Sequence, residues 1–126
     1  MSWRLAKALE QLRTQINASF PLRSKVSDGA IGDTAHSNRV SDHNPDAAGI
    51  VHAIDITHDT AHGVDGHTLS RQLIKDKRTK YVIFSGEIWK ARTGKWELYR
   101  GANAHRHHVH ISVQAALADD VSIWAL

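Results

Sequence analysis

The chain has 126 residues, 41% of them hydrophobic and 23% charged, and 16 Lys and Arg against 13 Asp and Glu give a net charge of +3. This length predicts a single domain, residues 1–126, with its own core, and the composition argues against disorder. The absence of cysteine excludes disulfides and thiolate metal sites. No apolar run is long enough to span a membrane. Histidine stands out, with ten residues.

The first half of the chain predicts a helix, a loop and a strand. Ser2 can cap a helix that runs to about residue 17, and its buried stripe would consist of Trp3, Ala6, Leu9, Leu12 and Ile16. Residues 23–44 are rich in Ser, Asp, Gly and Asn, which indicates a long ordered loop. Residues 49–57 predict a strand with Ile50, Ile54 and Ile56 on one face and Val51, Ala53 and Asp55 on the other.

The second half predicts a short helix over residues 68–77 and four strands over residues 81–84, 87–91, 96–99 and 107–113. Turns at residues 85–86 and 93–94 connect the first three of these strands into an antiparallel meander. Residues 114–118 indicate the beginning of a terminal helix.

Two segments about 55 residues apart carry side chains that bind metals. The first contains His43 and Asp55, and the second contains His108 and His110. Imidazole nitrogen and carboxylate oxygen suit zinc, and three such ligands leave a fourth position for water, as in catalytic zinc sites. On a strand, His108, His110 and Ser112 share one face, whereas the residues between them would pack into the core.

The other histidines have less defined roles. His36 and His52 remain possible ligands, although His52 falls on the isoleucine face of its strand and is expected to be packed or hydrogen-bonded. His58, His62 and His67 belong to a polar segment and are candidates for the rim of a cleft.

The motifs, in chain order, are Ser41-x-His43, Gly49, Ala53-x-Asp55 and His108-x-His110. This pattern resembles the D-Ala-D-Ala metallopeptidases of the peptidase M15 group, which have the hedgehog/DD-peptidase fold, and is most similar to short endolysin domains of phages and actinobacteria. The resemblance covers roughly residues 22–113. It implies an α+β fold with a small antiparallel sheet flanked by helices, Zn²⁺ held by His43, Asp55 and His110, and cleavage of an amide bond in peptidoglycan stem peptides.

The chain departs from this family at two points. Eleven residues separate His43 from Asp55 where most relatives have six, and the extra length is turn-forming sequence that can bulge outward without moving either ligand. Many relatives place a glutamate general base three residues before the last ligand, where this chain has His107. The first His of the HxH motif takes part in catalysis in the broader superfamily, so His108 is the predicted base, with His105 as the alternative.

Three further residues have predicted roles. Arg39 is the candidate to stabilise the developing oxyanion. Ser41 would bind substrate or orient a neighbour, and Asp42 would bind substrate or support a ligating imidazole. D,D-carboxypeptidase, L-Ala–D-Glu endopeptidase and cross-link endopeptidase activities all remain open.

We expect a monomer that acts on peptidoglycan stem peptides and binds no nucleic acid. The N-terminal residues lack the apolar centre of a secretory signal, so we expect the host cytoplasm before release and action at the bacterial cell wall.

Two other functions are compatible with parts of the sequence. The segment Asp42-His43-Asn44-Pro45 loosely resembles the start of an HNH nuclease motif, but that motif needs a following helix, and the chain shows no dense basic stripe. A non-enzymatic cell-wall-binding module of the same fold is the second alternative, because the usual glutamate is absent and fold does not fix function.

Overall fold

The computed structural model describes residues 3–30, 41–101 and 104–126. Over these ranges the protein has two α-helices and a five-stranded antiparallel sheet, so the predicted α+β class is confirmed. In chain order the elements are β1 (Arg4–Leu5), α1 (Lys7–Ser19), β2 (Ile50–Val51), β3 (Ala53–Thr57), α2 (Gly66–Leu73), β4 (Thr79–Phe84), β5 (Glu87–Lys90), β6 (Lys95–Leu98) and β7 (His108–Val113). Two 3-10 turns lie at Thr60–His62 and Ala115–Leu117.

The last strand lies inside the main sheet, whose order is β3-β7-β4-β5-β6. Strand β7 pairs antiparallel with β3 on one side and with β4 on the other. Strands β1 and β2 form a separate two-stranded parallel sheet. The central position of β7 puts its side chains next to those of both neighbouring strands, which matters for the site.

Both helices pack against one face of the main sheet. The α1 stripe and the inward side of α2 bury apolar side chains against alternate strand residues. These core residues include Leu9, Leu12, Ile16, Leu69, Leu73, Ile54, Ile56, Val82, Val109, Ile111 and Val113. The opposite face of β3, β7 and β4 carries Asp55, His108, His110, Ser112 and Tyr81, together with the buried Ile83. None of the helices in the described ranges could serve as a membrane span.

The start of the first helix differs from the prediction. Arg4 and Leu5 form β1, because Arg4 N–H donates to Gly49 O and Ala6 N–H donates to Val51 O, both at 2.9 Å. The helix therefore begins at Lys7. The predicted stripe from Ala6 to Ile16 is buried, but Trp3 precedes the helix and is 42% exposed, so its predicted burial is wrong. Ser2 lies outside the described residues.

The strand predicted over residues 49–57 is broken at His52. The break changes the alternation, so that Val51 joins Ile54 and Ile56 in the core instead of sharing a face with Asp55. His52 itself is buried, and its Nε2 lies 2.8 Å from Asp46 Oδ2, which confirms the prediction of a hydrogen-bonded side chain.

The later elements lie close to their predicted positions. The second helix starts two residues before the prediction, at Gly66, because Asp65 caps it by accepting from His67 N–H. It ends at Leu73, four residues before the predicted end. The predicted terminal helix is a single 3-10 turn, and beyond it the chain buries Trp124. The Trp124 Nε1–H group donates to Ala8 O at 2.9 Å, which fixes the C-terminal segment against α1.

Candidate metal centre

Three side chains meet on the sheet face opposite the helices. Asp55 of β3 and His110 of β7 are direct cross-strand partners, and His43 reaches them from the irregular segment before β2. His43 Nε2 lies 3.2 Å from Asp55 Oδ1 and 3.1 Å from His110 Nδ1, and His110 Nδ1 lies 3.2 Å from the same Asp55 oxygen. Their side chains are 9%, 17% and 4% exposed for His43, Asp55 and His110. The predicted convergence of these residues is confirmed.

The strands fix two of the three side chains. Strand β7 points His108, His110 and Ser112 to one face and buries Val109, Ile111 and Val113 in the core, as the alternation predicts. On the free edge of β3, Asp55 N–H donates to Gly29 O at 2.7 Å, and Gly29 N–H donates back to Asp55 O. Both main-chain groups of Asp55 thus bond to Gly29 on the outer side of β3, while His110 lies next to Asp55 on the β7 side.

The segment that carries His43 is closed by two compact turns. His43 N–H donates to Ser41 Oγ, so the Ser41 side chain orients the ligand segment. The residues before β2 form a turn in which the Asp46 carboxylate accepts from Ala48 N–H and Ile50 N–H. This turn lies between His43 and Asp55 in the chain, and the two side chains still meet.

Each ligand imidazole is held on the nitrogen that faces away from Asp55. His43 Nδ1 lies 2.6 Å from Ala30 O, and because a carbonyl only accepts, Nδ1 carries a proton, so that a neutral His43 ring would turn its Nε2 lone pair to the centre. His110 Nε2 lies 2.9 Å from Ser112 Oγ. Such outer partners orient metal-binding histidines and set their tautomers.

The charge of the centre suits a cation. Burial opposes ionisation of Asp55, but hydrogen bonds with His110 and His43 outweigh it and hold its pKa well below the usual range. Burial lowers the pKa of His110. For His43, burial is outweighed by the Asp55 carboxylate, and its pKa is raised. A buried, ionised carboxylate between two imidazoles provides the negative charge that a metal ion would neutralise.

The two predicted candidates for the general base both lie beside the centre. His108 Nε2 is 3.6 Å from Asp55 Oδ2, and burial lowers the pKa of His108. The His105 ring is edge-on to His108, with 4.9 Å between centroids, and 5.6 Å from His110. His105 has φ of 56°, a left-handed conformation that is uncommon outside glycine, and its carbonyl accepts from Ser85 N–H.

The sequence analysis missed a tyrosine that forms one wall of the centre. The Tyr81 ring of β4 stacks on His110 with 5.1 Å between centroids and 12° between planes. Its hydroxyl lies next to Ser112 and Asp42, and burial, together with Asp42, raises the pKa of Tyr81 to about 12. Asp42 Oδ2 lies 3.1 Å from Lys80 Nζ. Asp42 is thus linked to His110 through Tyr81. The alternation of side chains along β4 does not show which face Tyr81 lies on until the pairing of β4 with β7 is known.

The remaining predicted residues lie elsewhere. Arg39 and His36 are outside the described residues. His58 Nδ1 accepts from Gly66 N–H, His62 pairs with Asp59, and His67 packs edge-on against Phe84. Their place at the rim of a cleft stays a prediction. Within the described ranges, His43, Asp55 and His110 are the one group of three His and acidic side chains close enough to share a metal ion.

Comparison of this chain with protein-family models, with curated proteins and with solved structures finds no match.

Proposed function

We propose that this protein is a zinc-dependent peptidase that hydrolyses an amide bond in the stem peptides or cross-links of bacterial peptidoglycan. The observation that carries the proposal is the convergence of His43 Nε2, His110 Nδ1 and Asp55 Oδ1, all within 4.8 Å of one another. Two nitrogens and one oxygen form a three-ligand set of the kind that catalytic zinc uses.

The donor types favour zinc over the common hard cations. Ca²⁺ and Mg²⁺ prefer sets made of oxygen, whereas imidazole suits zinc and its neighbours in the transition series. The hydrogen bonds from the outer imidazole nitrogens to Ala30 O and Ser112 Oγ support the same assignment, because they hold the inner nitrogens toward Asp55.

The histidines beside the centre provide the acid–base chemistry. When bound, Zn²⁺ would lower the pKa of water toward about 7 and polarise a carbonyl. In this proposal, His108 takes a proton from the attacking water and returns it to the leaving amine, and its position next to Asp55 supports this role. His105, which packs against His108, is the second candidate. Arg39 would stabilise the developing oxyanion.

The substrate class rests on the motifs and on charge. The order Ser41-x-His43, Ala53-x-Asp55 and His108-x-His110 supports membership of the peptidase M15 group and its hedgehog/DD-peptidase fold. The antiparallel sheet with its late central HxH strand is consistent with that fold. A net charge of +3 favours an anionic partner such as cell wall. We propose a monomer that is made in the host cytoplasm and acts at the wall after release.

In the described residues that directly follow Pro45, the structure lacks the helix that the nuclease alternative requires. After Pro45 the chain forms a turn and then β2 and β3, whereas the HNH motif needs a short helix at this point.

The proposal is tested by elemental analysis of the purified protein and mass spectrometry of peptidoglycan digested with it. We expect one zinc per chain in the wild type and a newly formed amine and carboxylate at one stem-peptide bond. His110→Ala should lose zinc. His108→Ala should keep zinc and lose about 10²- to 10⁴-fold in kcat. The matched control is His107→Ala, which removes an exposed neighbouring histidine and should keep both zinc and turnover.

Each contrary outcome has a distinct meaning. A wild-type protein that takes up no zinc would overturn the metal centre. Equal, negligible turnover by zinc-loaded wild type and His108→Ala would favour the cell-wall-binding module. Nicking of plasmid DNA without loss of cell-wall turbidity would favour a nuclease.

A further inference from the structure

The sheet face that carries the metal centre continues beyond Tyr81 into a cleft of about 550 Å³. Tyr81 pairs with Lys90, and Ile83, the partner of His110, pairs with Ile88. Because paired residues of antiparallel strands share a face, Tyr81, Ile88 and Lys90 of the cleft lie on the His110 side of the sheet. The ring of Tyr81 lines the cleft and also stacks on His110, so the cleft and the metal centre share a wall.

Positive charge is concentrated along this cleft. Lys90 lies directly opposite Lys95, an arrangement that is destabilising for like charges. Arg92 lies in the connection between these two lysines and also lines the cleft. Its side chain is exposed and forms no ion pair with any other described residue. Glu97 lies 3.5 Å from Lys90 and offsets one charge. The hairpin therefore presents a surplus of positive charge next to the metal centre.

A strand irregularity adds a further cation. The β4–β7 register shifts between Thr79 and Tyr81, which leaves Lys80 as an extra residue in β4. Bulges of this kind redirect side chains near functional sites. Lys80 Nζ lies 5.7 Å from the centroid of the Tyr81 ring and 3.1 Å from Asp42 Oδ2. Lys80 thus lies on the Tyr81 side of the sheet, where it lines the cleft and pairs with Asp42 of the segment that carries His43.

We propose that this cleft, defined by Tyr81, Ile88, Lys90, Arg92 and Gln114, binds a free carboxylate of the peptide substrate while the scissile amide lies at the metal centre. The inference rests on the proposed function. Lys90 and Arg92 would pair with the carboxylate, the Gln114 amide would donate a hydrogen bond, and Tyr81 and Ile88 would contact the peptide chain. A short peptide with a carboxylate next to its cleaved bond has the size and charge for this cleft.

The test uses two synthetic peptides and three proteins. The peptides are the pentapeptide L-Ala–γ-D-Glu–L-Lys–D-Ala–D-Ala and the same peptide with both carboxyl groups amidated. The zinc-loaded proteins are wild type, Lys90→Gln/Arg92→Gln, and the control Lys75→Gln/Lys77→Gln. The control removes the same charge from exposed lysines next to α2.

Removing the two cleft cations should raise KM for the free-acid peptide about tenfold, with a much smaller effect on kcat. The control should behave as wild type. With the amidated peptide, wild type and cleft variant should have the same KM. An equal rise in KM for both double variants, or for both peptides in the cleft variant, would overturn the subsite.

The two proposals fail in different ways. If the wild type cleaves neither peptide, hydrolysis of the stem peptide is wrong, and calorimetric Kd values for the same combinations decide the cleft separately. Carboxylate-dependent binding that is lost in Lys90→Gln/Arg92→Gln would support the cleft even then. Equal Kd values for both peptides with wild type would overturn it.

Discussion

Single hydrogen bonds set the direction of the ring nitrogens in the candidate metal centre. His110 lies directly across from Asp55, but the rotation of its ring decides which nitrogen faces that carboxylate. The Ser112 hydroxyl, 2.9 Å from His110 Nε2, holds the ring with Nδ1 toward Asp55, and Tyr81 stacks on the ring. The affinity of the centre should therefore depend on a residue that is not itself a ligand.

Replacement of Ser112 by alanine should weaken zinc binding about 10- to 100-fold, because the His110 ring loses the partner that fixes its orientation. Equilibrium dialysis against a zinc-buffered solution measures this change. Ser122→Ala is the matched control, since that hydroxyl bonds to Asp120 in the C-terminal segment. Unchanged affinity in a folded Ser112→Ala protein would show that stacking on Tyr81 alone orients the ring.

At the residue scale, the ligands could be predicted from the sequence, but the residues that orient them could not. His43, Asp55 and His110 were recognisable because they belong to short sequence motifs and because β7 alternates strictly. Tyr81 and the Ala30 carbonyl were not recognisable, because their roles depend on the β4–β7 pairing and on where a long loop approaches the sheet. The pattern of residues within one segment does not predict contacts between distant segments.

At the scale of elements, the free edge of β3 is held by the segment that follows α1. Asp28 accepts from the Thr57 N–H at 2.8 Å and from its hydroxyl at 2.6 Å, and it pairs with the buried Arg23 at 2.8 Å. Burial opposes ionisation of Asp28, but the hydrogen bonds from Arg23 and Thr57 outweigh it and lower its pKa. The loop thus supports the strand that carries Asp55.

This arrangement predicts a pH-dependent contribution to stability. A lowered folded-state pKa means that the folded protein binds fewer protons, so the contribution of Asp28 is complete above its unfolded pKa of about 3.8 and is lost as pH falls below it. Asp28→Asn should lower the free energy of unfolding by about 1–3 kcal/mol at pH 7. The difference in free energy of unfolding between wild type and Asp28→Asn should shrink below about pH 3.5. Urea unfolding at several pH values measures both effects.

The exposed ion pair of Asp119 with Arg4 provides the control. Asp119→Asn should change stability less than Asp28→Asn, because solvent screens an exposed pair. A gap between wild type and Asp28→Asn that stays constant from pH 7 to pH 3 would contradict the role given to the Asp28 carboxylate.

Prediction of the elements succeeded where alternation or helical periodicity ran unbroken. The strand from His108 to Val113 and the stripe of α1 are of this kind. The prediction failed for the burial of Trp3 and for the strand break at His52, because both depend on the pairing of β1 with β2. That pairing joins residues nearly fifty positions apart and has no signature in either short segment.

Across the whole molecule, the centre connects segments that are far apart in the chain. His43 precedes β2, Asp55 lies in the edge strand β3, and His110 lies in the last strand, which is inserted between β3 and β4. Trp124 then fixes the chain end to α1, with the Arg78 guanidinium 4.0 Å from the centroid of its ring. A metal bound by these three ligands would therefore cross-link the fold, and it would bind the folded chain in preference to the unfolded one.

Zinc should accordingly raise the stability of the protein by mass action. With free zinc at 100 times its dissociation constant, the free energy of unfolding should increase by about 2.7 kcal/mol, provided that the unfolded chain binds zinc weakly. Thermal unfolding across a series of zinc concentrations measures the effect as a rise in Tm that continues with the logarithm of concentration. In His110→Ala the rise should be absent, and in His107→Ala, which keeps all three ligands, it should persist. A similar rise in wild type and His110→Ala would place zinc elsewhere on the chain, and no rise in wild type would mean that the three ligands do not hold the ion.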